Sequence, residues 1–312
     1  MRLGVYFGWH VHPWEDLLAL VRRAEEEGYD AAWVDGDATL HPGRDTLDGW
    51  TVTTALLALT RRIAIGSLRI VHHWNAARLA QAIATAERIT PGRLRFLISI
   101  GDRPIDARFG LPELPASERI RWLDETLDAA RALWRGETVT RDGRHVRLAG
   151  ASLRPTPPDG RIEIAVAAKG ARLLGVAARH ADVWDVNLPP LAPRVHAAAA
   201  ALESACARLG RDPGAIERSM LLFTRLAASP AAQPFAAEFR RLNPWFGFLS
   251  DPEAEASVVV GPPEHCLARI AQLCRELRIA RPTLDLSGLP AGEAERVLTL
   301  LSPKNNRVDT RT

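Results

Sequence analysis

Hydrophobic residues along the chain follow two alternating periods, and residues 78–101 show both. Apolar positions recur at helical spacing through 79–89, and the Thr-Pro-Gly turn at 90–92 then stops the helix. A nearly continuous apolar run follows at 94–100, as in a parallel strand that is covered on both faces. A helix followed by a buried strand is the unit of an α/β fold.

The same alternation continues through the chain and predicts eight strand–helix units. Strands are predicted at 3–7, 31–35, 63–71, 94–100, 162–167, 183–187, 219–227 and 283–286, and helices at 14–27, 49–59, 76–89, 118–134, 171–179, 193–209, 262–277 and 292–301. Eight such units favour an α/β fold, the (β/α)8 TIM barrel. A doubly wound open sheet is the alternative. Such a sheet is expected to carry a Gly-rich nucleotide-binding motif after strand one, and residues 8–12 lack this motif.

Two segments do not fit the repeating unit. Residues 139–148, with Asp142-Gly143 at the turn, predict a hairpin after strand four. Residues 228–257 carry four prolines together with Trp245, Phe246 and Phe248, and the segment is too long for a bare loop. We therefore expect a barrel with insertions after strands four and seven, the second a candidate lid. A single domain is predicted over 1–302, with a frayed polar tail at 303–312.

Composition and charge argue against a membrane protein, a nucleic-acid-binding protein and a disulfide-rich protein. The chain has 312 residues, 47% of them hydrophobic, which suffices for one large core. It has no apolar run of about 18 residues and no signal-peptide layout, so a cytoplasmic protein without a membrane span is expected. The net charge of +3 comes from interspersed charges, which does not indicate nucleic-acid binding. Three cysteines without close pairing argue against disulfides.

The clearest chemical signal lies after strand five. In a barrel of this type the active site lies at the carboxyl ends of the strands. There Ala167, Ala168, Lys169 and Gly170 form a small-residue turn that leads directly into a helix with Arg172 in its first turn. Backbone N–H groups at such a helix start bind phosphate, and the basic side chains add charge. A purely structural turn is the alternative.

Several segments, in order and over nearly the whole chain, resemble the bacterial luciferase-like family of flavin- and deazaflavin-dependent oxidoreductases (luciferase-like monooxygenases). The similar segments are strand two at 29–34, strand three at 60–67, the helix, turn and strand at 78–101, the long helix at 123–136 with the hairpin turn after it, the helix and strand at 177–184, and the segments 210–213 and 259–264.

This resemblance implies a cofactor, FMN or coenzyme F420, at the barrel mouth. In the family the cofactor phosphate binds at the strand-five turn, here Ala167 to Gly170 with Arg172. The resemblance also implies that Ser67 and Leu68, joined by a cis peptide bond, support the flavin ring, with Gly101 at the end of strand four. A homodimer and a small organic substrate are expected on the same grounds.

The main departure from the family lies after strand two. Many members have Asp-His there, and this chain has Gly36-Asp37. We therefore expect the proton donor among Asp37, His10 and His72, since a carboxyl with a raised pKa or a histidine can exchange protons near neutral pH. His12 and His73 are further candidates, and each of these side chains has a structural role as its alternative.

The function predicted from these residues is a luciferase-like oxidoreductase that uses reduced FMN to oxidise or mono-oxygenate a small organic substrate. F420-dependent hydride transfer and a non-catalytic flavin-binding relative are alternatives. A metal-dependent barrel hydrolase would use His10 and His12 with Asp285, but strands four and six lack its remaining ligands. No metal site is therefore predicted.

Overall fold

The computed structural model of the chain describes residues 2–8, 12–36, 47–101, 110–230 and 234–306. The strands are β1 (Gly4–Phe7), β2 (Ala31–Val34), β3 (Ala64–Ile70), β4 (Leu94–Ser99), β5 (Val139–Asp142), β6 (Arg147–Ala151), β7 (Ile164–Ala168), β8 (Val183–Val186), β9 (Glu217–Leu226), β10 (Val259–Gly261) and β11 (Arg281–Asp285). The helices are α1 (Trp14–Glu27), α2 (Gly49–Leu59), α3 (Ala76–Ile89), α4 (Ala116–Trp134), α5 (Ala171–His180), α6 (Ala192–Arg208), α7 (Ala236–Leu242), α8 (Asp251–Ala256), α9 (Pro263–Leu277) and α10 (Ala291–Leu300).

Eight parallel strands close into one barrel. Its strands in spatial order are β1, β2, β3, β4, β7, β8, β9 and β11, and the circle closes because β11 pairs with β1. The register is continuous across the closure, with Gly4 beside Ala31 on one side and Thr283 on the other. The TIM barrel predicted from the sequence is confirmed.

Apolar helix faces cover the barrel. In α1 the buried residues Leu17, Leu20, Val21 and Ala24 recur at helical spacing. The helix ends at Gly28, whose φ of 84° lies in the left-handed region that glycine adopts without strain. The spacing that predicted this helix is therefore the spacing of its contacts with the core.

The side chain of Arg93, which lies just before β4, binds backbone carbonyls of the preceding strand–helix unit. Its guanidinium donates hydrogen bonds to the carbonyls of Leu57, Thr60 and Ile63, at 3.0, 3.0 and 3.1 Å. These carbonyls belong to the end of α2 and the segment that enters β3. The arginine therefore joins two consecutive strand–helix units.

Both predicted insertions are present. The antiparallel β5–β6 hairpin follows α4. The insertion after β9 contains α7 and α8 and forms its own apolar cluster, which includes Phe235, Phe239, Leu242 and Phe246. This second cluster is distinct from the main core and lies beside the upper part of β9, at Phe223.

Two expectations need correction. The cis peptide bond found among the described residues is Arg154–Pro155, so the expectation of one between Ser67 and Leu68 is wrong. β3 runs through both residues in regular parallel register with β4, without a bulge. The start of the tail is not frayed either, since Asn306 donates to the carbonyls of Leu300 and Ser302, each at 3.1 Å.

None of the described helices is long and apolar enough to cross a membrane. The single domain over 1–302 stays a prediction.

Candidate active site

A cavity of about 460 Å³ opens at the carboxyl ends of the barrel strands. Its size lies in the range of pockets that hold cofactors and small organic ligands. The strands contribute mainly apolar side chains and a few polar ones. All eight barrel strands contribute residues to its lining, among them Tyr6, Leu68, Leu97, Ala167, Asp185 and Asp285.

The turn between β7 and α5 is open at the side of this cavity. Gly170 has a φ of 78°, and no atom of the described part of the chain lies within 4 Å of the position that a Cβ would take. No side chain of the described residues caps the first turn of α5, so its N–H groups are available to an anion. The side chains of Lys169 and Arg172 make no hydrogen bond or ion pair with another described residue. The turn therefore offers an anion backbone donors and two cationic side chains.

The predicted cofactor residues divide into two groups around this turn. Leu68, Gly101, Ala167 and Lys169 line the cavity. Ala168, Gly170 and Arg172 do not line the cavity. Ala168 ends β7 and is buried, whereas Gly170 caps α5 and Arg172 lies in its first turn, and both are exposed.

Ser67 lies elsewhere. Its hydroxyl is buried under α2, where it shares a hydrogen bond of 2.7 Å with Thr53 and accepts one of 2.6 Å from Arg69. The structure thus does not bring this side chain to the cavity wall.

The predicted proton donors are only partly described. Asp37 and His10 lie outside the described residues. His72 is buried and lines a smaller second pocket between α4 and the β5–β6 hairpin. His73 lines both pockets. β3 ends at Ile70 and a short 3-10 turn follows, which turns the next histidine, not His72, to the main cavity.

Gly36 explains the departure from the family after β2. A Cβ on this residue would lie 2.0 Å from the carbonyl oxygen of Leu68. A Cβ on Gly49, at the start of α2, would likewise lie 2.3 Å from the carbonyl oxygen of Asp35. The backbone after β2 is packed so closely between β3 and α2 that it admits no larger residue at position 36.

Two carboxyl groups inside the barrel were not among the predicted catalytic or cofactor-binding residues, although Asp285 was considered as a metal ligand. Asp185 accepts a hydrogen bond of 2.9 Å from the hydroxyl of Ser219, and burial raises its pKa to about 6. Asp285 is 1% exposed, and burial raises its pKa as well, opposed by the charge of Arg225 and by the hydrogen bond of 2.9 Å that the backbone N–H of Ser287 donates to it. An acidic residue at the end of an apolar strand was the sequence signal for both.

Aromatic rings from the insertion form one wall of the cavity. Phe239, Trp245 and Phe246 line it together with Phe223 of β9. The ring centroids of Phe239 lie 5.5 Å from those of Phe223 and 5.6 Å from those of Phe246. No sequence pattern predicted this wall, because the aromatic residues lie in a segment without a clear period.

Buried Arg225 fastens the insertion to the barrel. It donates to the carboxylate of Glu238 on α7 at 2.9 Å and to the carbonyl of Ser287 at 2.5 Å. Its guanidinium carbon lies 3.9 Å from the centroid of the Phe223 ring. Arg225 of β9 therefore links α7, which carries part of the aromatic wall, to β9 and to the segment that follows β11.

No group of three or more histidine, cysteine, aspartate or glutamate side chains suited to a metal ion occurs within the described ranges. His10, part of the metal pair considered from the sequence, lies outside them.

Comparison with known proteins places this site in context. Residues 1–243 match the family model described as luciferase-like monooxygenase. An F420-dependent glucose-6-phosphate dehydrogenase of Mycobacterium avium (strain 104) is 33% identical over 175 residues, which are 54% of this chain and 51% of the relative. A 5,10-methylenetetrahydromethanopterin reductase of Archaeoglobus fulgidus is 30% identical over 188 residues, 60% of this chain and 53% of the relative.

The chain thus matches about half the length of these curated relatives. Among solved structures, EDTA monooxygenase from Chelativorans sp. BNC1 superimposes with a TM-score of 0.82 at 14% identity, over 100% of this chain and 95% of the other. At that identity the likeness supports the fold. Because the family model matches most of the sequence, the chain belongs to the luciferase-like monooxygenase family.

Proposed function

We propose that the chain is an oxidoreductase that holds coenzyme F420 at the mouth of its barrel and acts on a small organic substrate. The observation that carries the proposal is the open, cationic turn at Gly170 beside an apolar cavity. The choice of the deazaflavin is supported by the name of the Mycobacterium avium relative, an F420-dependent dehydrogenase. When bound, a deazaflavin supplies hydride transfer without activating oxygen.

The residues present fit such a cofactor. Its phosphate would accept hydrogen bonds from the first N–H groups of α5, and Lys169 and Arg172 would neutralise its charge. Its ring would lie against Leu68 in the cavity, beside Gly101. The backbone at Gly36 closes this side of the cavity, because it packs directly on the Leu68 carbonyl.

The chain's own contribution is orientation and exclusion of water. Leu68, Leu97 and Ile100 present apolar surface to the cavity. Such surface strengthens the electrostatic interactions at a reacting centre because it lowers the local polarity. Asp37 and His10 stay predicted proton donors. His73 takes the place of His72 in this role, because His73 lines the cavity whereas His72 lines the second pocket. The expected homodimer and cytoplasmic location also stay predictions.

An FMN-dependent monooxygenase is the second candidate. It is favoured by the description of the matching family as luciferase-like monooxygenase. Both cofactors carry a ring and a phosphate, so the same turn and cavity serve either one.

Titration of the purified apoprotein with F420 and, separately, with FMN tests the proposal. We expect F420 to bind more tightly, and we expect Lys169→Ala to weaken that binding about tenfold through loss of one charge-assisted contact. Lys304→Ala is the matched control, since Lys304 lies beside Gly28 at the opposite end of the barrel. Tighter FMN binding with oxygen consumption would favour the second candidate, and binding of neither cofactor would refute both.

A further inference from the structure

The cavity has one wall of aromatic rings and few charged groups. Phe223, Phe239, Trp245 and Phe246 contribute that wall. Aromatic surface binds flat or branched apolar molecules, and it offers no compensation for the lost hydration of an anion.

The basic side chains that line the cavity are already engaged or assigned. Arg119 donates to the backbone carbonyls of Leu114 and Ile100, at 3.1 and 2.8 Å, and also to that of Gly101. Lys169 lies at the turn proposed for the cofactor phosphate. In the described lining, this leaves an anionic substrate no arginine or lysine of its own.

Asp185 adds a negative charge to the same space. Ser219 is its hydrogen-bond partner among the described residues, and no described cation contacts it. Asp285 differs, since it lies beside the charge of Arg225. The other titratable or charged groups that face the cavity are Tyr6, His73, Arg119 and Lys169. Asp185 is therefore the carboxylate whose charge is least compensated.

We propose that the cavity admits an uncharged, largely apolar substrate, an aromatic or branched organic molecule, and that the carboxylate of Asp185 keeps organic anions such as sugar phosphates out. This inference rests on the proposed function, since the cofactor phosphate is taken to occupy the turn at Lys169. It separates this chain from its Mycobacterium avium relative, whose name gives a sugar phosphate as substrate.

The repulsion between the carboxylate of Asp185 and an anionic ligand is large enough to change binding measurably. Two like charges about 6 Å apart at an effective dielectric of about 20 repel each other enough to weaken binding about 100-fold. Because the pKa of Asp185 is raised to about 6, the repulsion is present at neutral pH and fades as the pH falls below that value. The exclusion of anions should therefore weaken in acid.

The test uses three probes on the protein loaded with its cofactor, measured by calorimetry. Acetophenone is neutral, benzoate carries the same ring with a negative charge, and glucose 6-phosphate is the polar anion. At about pH 7.5 we expect acetophenone to bind at least about tenfold more tightly than benzoate, and glucose 6-phosphate not to bind. Asp185→Asn keeps the shape and an acceptor for Ser219 but removes the charge. In this variant the preference for acetophenone should shrink to a few-fold and lose its dependence on pH.

The possible outcomes distinguish failure of the proposed function from failure of the inference about the substrate. If neither F420 nor FMN binds, the proposed function fails first, before any probe is added. If a cofactor binds and benzoate or glucose 6-phosphate binds the wild-type protein as well as acetophenone does, the inference is overturned. A preference that is equal in wild type and Asp185→Asn would also overturn the role of Asp185, and circular dichroism checks that the variant is folded.

Discussion

Replacement of Asp185 by asparagine should make the protein more stable at neutral pH. In the folded protein, burial raises the pKa of this carboxyl from 3.8 to about 6. Between these values the folded protein binds a proton that the unfolded chain releases, so stability falls as the pH rises from about 4 to about 6. Above pH 6 the cost is fully present, and below pH 4 it is absent.

The size of this cost follows from the rise in pKa. A rise from 3.8 to about 6 corresponds to about 3 kcal/mol, at about 1.4 kcal/mol for each pH unit. The side chain is partly exposed to the cavity, so water there reduces the cost, and we expect a gain of about 1–2 kcal/mol for Asp185→Asn. The asparagine Oδ1 keeps the hydrogen bond from Ser219, which limits any offsetting loss.

Urea unfolding followed by circular dichroism measures the effect. The midpoint for Asp185→Asn should exceed that of the wild type at about pH 7.5, and the difference should vanish near pH 4. Asp142→Asn makes the same chemical change at a side chain that is 95% exposed, and it should leave the midpoint unchanged. A destabilised Asp185→Asn at neutral pH, or a gain that is equal at both pH values, would refute the assignment of Asp185 as a partly buried, poorly compensated carboxyl.

Two further predictions concern the frame of the site. Gly36→Ala should lower stability by about 2–3 kcal/mol, because its Cβ would lie 2.0 Å from the backbone oxygen of Leu68; an unchanged thermal midpoint would contradict this packing. Arg225→Met should lower stability by about 3–5 kcal/mol, because it leaves Glu238 and the Ser287 carbonyl without their buried cation. Limited proteolysis should then cut the insertion after β9 faster than in the wild type, and equal rates of cleavage would count against Arg225 as its anchor.

The barrel was predictable because each strand and helix has a hydrophobic pattern that can be recognised within its own segment of the sequence. The run at 94–100 becomes β4 (Leu94–Ser99), and the helical spacing at 76–89 becomes α3 (Ala76–Ile89). In a parallel barrel each strand is buried on both faces, so a continuous apolar run between two helices identifies it.

The orientation of the histidines after β3 was not predictable. The sequence extended the strand to residue 71, but it ends at Ile70 and a 3-10 turn takes over. A difference of one residue decides which of two neighbouring side chains, His72 or His73, reaches the cavity. Element boundaries carry the weakest local signal, so register at a strand end is the first detail to be lost.

The carboxyl of Asp185 and the aromatic wall depend on contacts between distant segments. Asp185 lies 34 residues from Ser219 in the sequence, and only the pairing of β8 with β9 brings the two together. Phe239 lies on a helix of seven residues, which is too short to show a period. Barrel closure and the contacts of Arg225 position these side chains. Both depend on segments that are far apart in the sequence, so no single segment predicts them.

The measurement that tests the account most directly compares a cofactor with its phosphate-free counterpart. Titrations would use F420 against its phosphate-free deazaflavin chromophore, and FMN against riboflavin, on the wild type and on Lys169→Ala. We expect the phosphate to strengthen binding about 100-fold for the cofactor used, and Lys169→Ala to reduce this advantage about tenfold. Equal affinity with and without the phosphate, or an advantage that Lys169→Ala leaves unchanged, would contradict the assignment of the turn at Gly170 as the phosphate site.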